Sequence, residues 1–204
     1  MKTTKSKVAR MVLLIGLAAL LSASCGKKVT RVDTRSDIDL SGRWNDGDSR
    51  RVADAMIEDV LSFPWIEDFR AAHNNEKPIV IAYGVKNRTA EHINTQLFMN
   101  DLRRAFIRSG RVRVVADRDQ RADIRDERAE QQTGLTAEPA AIGKELGANY
   151  VLTGVLNDTR DREGDEAVIF YQADMDLIDV ETSEVIWTNT KKIKKYIERD
   201  SVTY

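Results

Sequence analysis

The 204-residue sequence contains one cysteine, two histidines and three prolines. A single cysteine excludes a disulfide framework, and two histidines are too few for the usual zinc or iron–sulfur clusters. Basic and acidic residues number 32 and 33, so the chain lacks the basic excess that is typical of nucleic-acid binders. We therefore expect a globular protein without a metal, a cofactor or a nucleic-acid partner.

Long apolar runs are also missing. The longest, Met11–Leu21, has eleven residues, whereas a helix needs about 20 to span a bilayer. The run follows a basic stretch and ends in small residues before Cys25, which predicts a lipoprotein signal peptide over residues 1–24 and lipid attachment at Cys25. The alternative is a simple secretory signal with an incidental cysteine, because Ser22 occupies the position where leucine is usual.

Cleavage before Cys25 would remove four basic residues and no acidic ones, leaving 28 bases against 33 acids and a formal charge near −5. Residues 25–39 are polar and free of aromatics, which predicts a lipidated flexible tether with a reach of at most about 50 Å. We expect one globular domain over residues 40–197 and a tail over residues 198–204. The residue after the cysteine is not aspartate, which by analogy with enteric bacteria favours anchoring in the outer membrane, with the domain in the periplasm.

Hydrophobic periodicity in the first half of the chain predicts a helix, a strand and a second helix. The first helix is capped within Asp46–Ser49 and ends at Phe63–Trp65. Residues Pro78–Val85 are almost wholly apolar and β-branched, as in a strand buried on both faces. The turn Lys86–Thr89 then leads into the second helix, which Gly110 ends.

The second half predicts further elements in this order: a short strand Arg111–Ala116, a charged helix Asp117–Gln132, a helix Glu138–Leu146, a strand Tyr150–Leu156, and a hairpin of Ala167–Val180 with Glu184–Lys191. Strand–helix–strand alternation followed by a strand meander indicates an α/β fold. We predict a small mixed β-sheet flanked by about four helices, with a C-terminal antiparallel meander.

Motifs for phosphate, dinucleotide or acyl-transfer chemistry are absent. His73 and His92 have no partner at metal-ligand spacing, and His92 is expected on a helix surface. Asp174 and Asp176 share one strand face, so an enzyme acting on cell-wall glycan is one alternative. The commoner interpretation is the solvated face of an antiparallel strand, and we predict a protein without catalytic residues.

Two surface features remain open at this level. Trp44 lies in a polar segment and is either an interface residue or a staple that fixes the chain to the domain. The turn Asn87–Thr89 follows a buried strand, a position where loops of α/β proteins often bind ligands. Capping of the next helix by Asn87 or Thr89 is the alternative.

Short sequence matches extend over nearly the whole predicted domain. They are LSGRWND at Leu40–Asp46, DSR at Asp48–Arg50, KPIVI at Lys77–Ile81, NRTAEHI at Asn87–Ile93, SGRVRVV at Ser109–Val115, IGKELGANYVLTG at Ile142–Gly154, FYQ at Phe170–Gln172 and ETSEVIW at Glu181–Trp187. In this order, they resemble the lipoprotein activators of class A penicillin-binding proteins of the LpoB type. The resemblance implies a fold like the N-terminal domain of TolB, with a small sheet flanked by helices.

The resemblance also implies a lipid-anchored regulator that binds and stimulates a bifunctional peptidoglycan synthase. The short tether departs from relatives in which a long one passes through the wall. We expect the partner to bind a surface formed by Asn87, Arg88, Thr89, Glu91 and His92. The helix carrying Arg125 and Arg128 is the second choice, and an envelope assembly or transport lipoprotein like TolB or the curli-secretion component is the alternative function.

Overall fold

The computed structural model describes residues 28–134, 136–141 and 145–198. The chain divides into two compact units, Met1–Ser36 and Asp37–Tyr204. The described part of the first unit contains a turn in which the Ser36 amide donates to the carbonyl oxygen of Asp33, at 3.0 Å. Cys25, the predicted signal peptide and most of the predicted tail lie outside the described residues.

The second unit is an α/β structure. In chain order its described elements are α1 (Asp46–Ser62), α2 (Trp65–Ala72), β1 (Ile79–Asn87), α3 (Gln96–Ser109), β2 (Arg113–Val114), α4 (Arg118–Gln131), β3 (Tyr150–Glu163), β4 (Glu166–Asp179) and β5 (Val185–Glu198). The sheet has the order β2-β1-β3-β4-β5. β1 is parallel to both β2 and β3, whereas β3, β4 and β5 form an antiparallel meander. The predicted mixed sheet and its meander are confirmed.

One face of the sheet forms the hydrophobic core. In β4, Tyr171, Met175 and Leu177 are buried, while Asp174 and Asp176 lie between them on the opposite face. This is the predicted alternation, because successive side chains of a strand point to opposite faces. The Asp174 carboxylate accepts a cross-strand hydrogen bond from Thr190 at 2.7 Å, as expected on a solvated face.

Aromatic rings fill the core between the sheet and the helices α1, α2 and α3. Trp65 packs edge-on against Tyr150 and Phe106, with ring centroids 5.4 and 6.3 Å apart. The Trp187 indole N–H donates to Asp59 of α1 at 2.6 Å, which ties the edge strand β5 to this helix. Burial of such rings and their N–H bonds makes these contacts a large part of the core's stability.

The structure corrects several boundaries. After α1 ends at Ser62 a second short helix, α2, begins, because Pro64 fits the start of a helix. The helix before Gly110 begins at Gln96, so Glu91 and His92 belong to a loop rather than to a helix start. The strand predicted over Arg111–Ala116 contains only the two residues of β2.

The helix predicted over Glu138–Leu146 is wrong for the described part of that range, residues 138–141 and 145–146, none of which is helical. Pro139 donates no backbone hydrogen bond, and so short a helix has little stability without tertiary packing. β3 and β5 are longer than predicted, whereas β4 has the predicted length shifted by one residue. The polar residues 157–163 continue β3 and pair with β4 out to Glu166, and β5 pairs with β4 to the same residue.

Candidate functional site

The loop Arg88–Thr95, here called the β1–α3 loop, leaves the sheet at the end of β1. The Asn87 side chain fixes its first turn by donating to the Glu91 carbonyl at 2.7 Å and accepting from the Thr89 amide at 3.0 Å. The Arg88 amide donates to the Leu156 carbonyl of β3 at 2.8 Å. Capping of the next helix by Asn87 or Thr89 is wrong, because Thr95 is the N-cap of α3 and the Asn87 side chain bonds within the loop instead. Binding of a partner by this loop stays a prediction.

The Glu91 carboxylate is turned inward and fixes the same loop to the sheet. Its side chain is only 10% exposed. It accepts hydrogen bonds from the Tyr171 hydroxyl at 2.7 Å, the Arg160 guanidinium at 2.6 Å and the Trp44 amide at 3.2 Å. Three long-range donors to one carboxylate restrict the loop to one position.

A second buried acid supports this arrangement. Asp158, on β3, accepts from Arg160 Nε at 2.7 Å and from the Ala90 amide at 3.1 Å. The hydrogen bond to Asp158 raises the pKa of Arg160 above its ordinary value. Arg160 therefore bridges two carboxylates, and this ion pair network fixes the middle of the β1–α3 loop to β3.

The segment Asp39–Asn45, here called the Trp44 segment, covers the core face of the extended meander. Trp44 packs edge-on against Tyr171 with ring centroids 5.3 Å apart, and its indole N–H donates to Ser49 at 2.8 Å. Gly42, with φ at +67°, lies against Ile197 so closely that a Cβ atom would clash with that side chain. Trp44 is therefore a staple, as one of the two sequence interpretations holds.

Lys195 of β5 fixes the same segment electrostatically. Its ammonium lies 2.5 Å from Asp48 and 2.7 Å from Asp39, and it donates to the Arg43 carbonyl at 2.7 Å. The hydrogen bond from Lys195 lowers the pKa of Asp39. Among these groups the Asp48 side chain is only 1% exposed, so its ion pair with Lys195 is buried.

We expect Tyr171→Phe to lower the free energy of unfolding by about 1–3 kcal/mol, because the Glu91 carboxylate and the Trp44 amide both lose a buried partner. Burial and the hydrogen bond to Glu91 raise the pKa of Tyr171 above its ordinary value of 10.0. The native phenol thus holds its proton more tightly than the unfolded one. Its contribution to stability is complete below pH 10 and declines as the pH rises toward the folded-state pKa.

Urea unfolding followed by circular dichroism at several pH values between neutral and alkaline checks this expectation. The stability of the wild type should fall more steeply above the ordinary tyrosine pKa than that of Tyr171→Phe. Tyr83→Phe is the matched control, since Tyr83 is 66% exposed. Parallel pH profiles for the wild type and Tyr171→Phe would contradict the assigned hydrogen bonds.

The two arginines of the charged helix α4 that were predicted to bind a partner form ion pairs within the protein. Arg125 makes a two-pronged contact with Glu145, at 2.9 and 2.8 Å, and Arg128 donates to the same carboxylate at 3.1 Å. The hydrogen bond from Arg125 lowers the pKa of Glu145. These arginines therefore connect α4 to the segment that precedes β3, and no contact among the described residues joins them to the β1–α3 loop.

The five residues predicted around Asn87 thus lie in one continuous turn, but with different roles. Arg88 and His92 are exposed, and neither side chain has a hydrogen bond or an ion pair among the described residues. Asn87, Thr89 and Glu91 shape the loop from within. Sequence reasoning missed Arg160 and Tyr171 as partners of Glu91, because 69 and 80 residues separate them from it and no local pattern links them.

Within the part of the chain that the structure describes, no helix combines the length and the hydrophobicity of a membrane span. The same residues contain no group of three or more histidine, cysteine, aspartate or glutamate side chains placed to hold a metal ion.

A family model described as peptidoglycan-synthase activator LpoB matches residues 48–193. The LpoB C-terminal domain from Salmonella enterica is 18% identical over 64% of this chain and 93% of that chain, with a TM-score of 0.34. The domain from Escherichia coli is 22% identical over 67% and 94% of the two chains, with a TM-score of 0.33. Lipoprotein GNA1162 from Neisseria meningitidis is 15% identical over 61% and 88%, with a TM-score of 0.37. No curated protein matches the sequence significantly.

Proposed function

The chain belongs to the LpoB family of peptidoglycan-synthase activators, and on that premise we propose that it binds and stimulates a class A penicillin-binding protein. These synthases are bifunctional, since they polymerise glycan strands and crosslink them. The proposed role is regulatory, and it requires of this chain a binding surface rather than catalytic residues.

The observation that carries the proposed surface is the rigid presentation of Arg88 and His92. Both side chains are exposed on a loop that Glu91 and Asn87 hold from within. A loop that is already ordered loses little conformational entropy when a partner binds, so more of the contact energy appears as affinity. Arginine is also enriched among the residues that dominate protein interfaces.

Within this surface we assign contact to Arg88 and His92 and positioning to Asn87, Thr89 and Glu91. The second predicted surface, around Arg125 and Arg128, has its cations engaged with Glu145. A partner at α4 would have to compete with that ion pair. The β1–α3 loop is therefore the better of the two proposed surfaces.

Stimulation by binding requires that the regulator has a higher affinity for the active conformation of the synthase than for the inactive one. A tenfold rise in the rate of glycan polymerisation corresponds to about 1.4 kcal/mol of lowered barrier. Such an amount lies within the coupling free energies that single interfaces provide. A few well-placed contacts on the β1–α3 loop suffice for it.

We also propose that the chain is anchored through a lipid on Cys25 in the outer membrane, with the domain facing the periplasm. This part of the proposal is supported by the sequence alone, through the basic start, the apolar run of eleven residues and the cysteine that follows. Several acyl chains on one cysteine would bind a bilayer firmly. The length of residues 25–39 would then limit how far from the membrane the domain can bind the synthase.

We expect Arg88→Glu to abolish stimulation of the synthase while leaving the fold intact. The change reverses the charge of an exposed side chain that has no hydrogen bond among the described residues; the hydrogen bond of Arg88 is made by its backbone amide, which the variant keeps. The free energy of unfolding should therefore change by less than about 0.5 kcal/mol. The measurement is polymerisation of lipid-linked disaccharide by each class A penicillin-binding protein of the same organism, with and without the full-length protein in detergent.

The matched control is Arg113→Glu, an equal charge reversal at an exposed residue of β2, next to the opposite end of β1. It should stimulate like the wild type. Equal loss of stimulation in both variants would contradict the proposal that the β1–α3 loop is the binding surface. A wild-type protein that neither binds nor accelerates any of the synthases would overturn the proposed function and favour the envelope assembly alternative.

A further inference from the structure

A groove with a volume of about 550 Å³ lies beside the second half of β1. Its walls are the strand residues Tyr83–Lys86, the loop residues His92–Thr95, Gln96 at the start of α3, and Thr153 of β3. Among the described residues, β2 pairs with β1 at Ile79 and Val80 alone, so beyond these two residues the described part of the chain gives β1 a neighbouring strand on one side only. The lining of the groove includes the exposed His92, and the exposed Arg88 follows the lining residue Lys86 by two positions in the chain.

A β-bulge directs an aromatic side chain to the solvent at this groove. The register between β1 and β3 shifts between Ala82 and Gly84, and Gly84 has φ at +109°, a backbone conformation that favours glycine. Tyr83, at the bulge, is 66% exposed, although Ile81 and Val85 of the same strand are buried. Bulges commonly re-aim a side chain near functional sites, and an exposed tyrosine can contribute a large contact area.

The charged side chain in the lining of the groove is basic. Asp176, the β4 partner of Thr153, lies on the neighbouring strand outside this lining. Lys86 lines the groove and Arg88 lies two residues further on, and neither side chain has an ion pair within the described residues. No acidic side chain is among the described residues that line the groove. Glu91 is the first acidic residue after Arg88 in the sequence, and its carboxylate accepts hydrogen bonds from Arg160 and Tyr171. The groove thus combines an aromatic wall with a cationic rim.

We propose that this groove receives an acidic segment of the synthase, with an apolar side chain against Tyr83 and carboxylates at Lys86 and Arg88. The inference rests on the proposed function and deepens it, because it names the chemistry of the partner segment. Charge complementarity favours this occupant, because Lys86 and Arg88, which have no ion pair among the described residues, attract carboxylates and repel a basic segment. Aromatic and arginine side chains together form the usual centre of such an interface.

The test compares binding of variants to the synthase that the wild type stimulates, by surface plasmon resonance with full-length proteins in detergent. Tyr83→Ala should weaken the affinity at least tenfold, while Tyr83→Phe should bind like the wild type, since the Tyr83 hydroxyl has no partner among the described residues. Tyr196→Ala is the matched control, because Tyr196 is also exposed, at 58%. It lies roughly 26 Å along the sheet from Thr153.

The charge of the segment is tested by a second pair of variants. Lys86→Glu should weaken binding at least tenfold and reduce its dependence on salt, whereas Lys77→Glu, an exposed lysine before the other end of β1, should do neither. Wild-type affinity in both Tyr83→Ala and Lys86→Glu, with binding still lost in Arg88→Glu, would overturn this inference and leave the proposed function in place.

Two further outcomes would overturn it. If Tyr83→Ala alters only self-association of the protein in sedimentation experiments, the occupant is a second copy of the chain. If the wild type binds no class A penicillin-binding protein, the proposed function fails, and the inference fails with it.

Discussion

Replacement of Lys195 by methionine is expected to destabilise the protein by about 3 kcal/mol, while the same change at the adjacent Lys194 should cost less than about 0.5 kcal/mol. The two lysines are consecutive in β5 and point to opposite faces of the sheet. Lys195 is 11% exposed and lies between Asp48 and Asp39, whereas Lys194 is exposed and has no ion pair among the described residues.

The difference arises from the carboxylate that the variant leaves behind. Asp48 is 1% exposed, and besides Lys195 it has an ion pair only with Arg51, at 3.3 Å, among the described residues. Loss of Lys195 leaves this buried carboxylate with Arg51, which is half exposed, as its remaining ion-pair partner among the described residues. Breaking a buried ion pair costs about 3–5 kcal/mol, and the remaining pair places this change at the lower end. Methionine keeps the apolar length of lysine, so the lost charge rather than a cavity dominates the effect.

Urea unfolding followed by circular dichroism gives the two midpoints, and equal m-values make them comparable. Because Lys195 lowers the pKa of Asp39 below its ordinary 3.8, the stability contributed through Asp39 is present above that pH and is lost as the pH falls through the folded-state pKa. This acid-sensitive component should disappear in Lys195→Met. Equal midpoints for Lys195→Met and Lys194→Met would show that the buried ion pair contributes nothing.

A second large effect is expected for Gly154→Ala, which should cost about 3 kcal/mol, the upper end of the range for overpacked cores. A Cβ atom on Gly154 would lie 2.5 Å from the Asp174 carbonyl oxygen and 3.0 Å from the Met175 side chain. β3 lies between β1 and β4, so it cannot move away from either strand. The atom nearest to the added methyl group belongs to the backbone of β4, so the sheet must distort to admit the methyl group. Thermal unfolding should show a fall of roughly 6–12 °C at this chain length.

Gly147→Ala is the matched control. A Cβ atom there meets nothing within 4 Å, and the backbone is outside the left-handed region. Alanine should therefore be neutral or stabilise by up to about 1 kcal/mol, because it restricts the unfolded chain. A melting temperature of Gly154→Ala within 2 °C of Gly147→Ala would contradict the close approach of β3 and β4 at this residue.

Local sequence patterns were sufficient to predict those helices and strands whose structure follows from the spacing of their buried residues. The alternation in β4 and the helical spacing in α1 and α3 each reflect burial of one face, and each element is present. The apolar run in β1 predicted a strand buried on both faces; the strand is present, but Tyr83 in it is exposed. Gly110 ends α3 with φ at +66°, as its position after the helix predicted. These features depend on neighbours within a few residues, so the amino-acid order contains them.

The remaining features depend on contacts between distant residues. Residues 157–163 have no apolar strand pattern, and they extend β3 only because β4 pairs with them. The β1–α3 loop was predicted as a turn and a helix start, since nothing near Glu91 indicates that its carboxylate is held by Tyr171 and Arg160.

The sequence by itself determined the α/β class, the order of most elements and the loop that carries Arg88. Only the tertiary structure decided that Glu91 is buried, that Arg125 and Arg128 are engaged with Glu145, and that a bulge exposes Tyr83. The physical reason is the range of the interactions. Periodicity and turn preferences act over a few residues, whereas the burial of a charge or the register of a sheet depends on partners brought together by the whole fold.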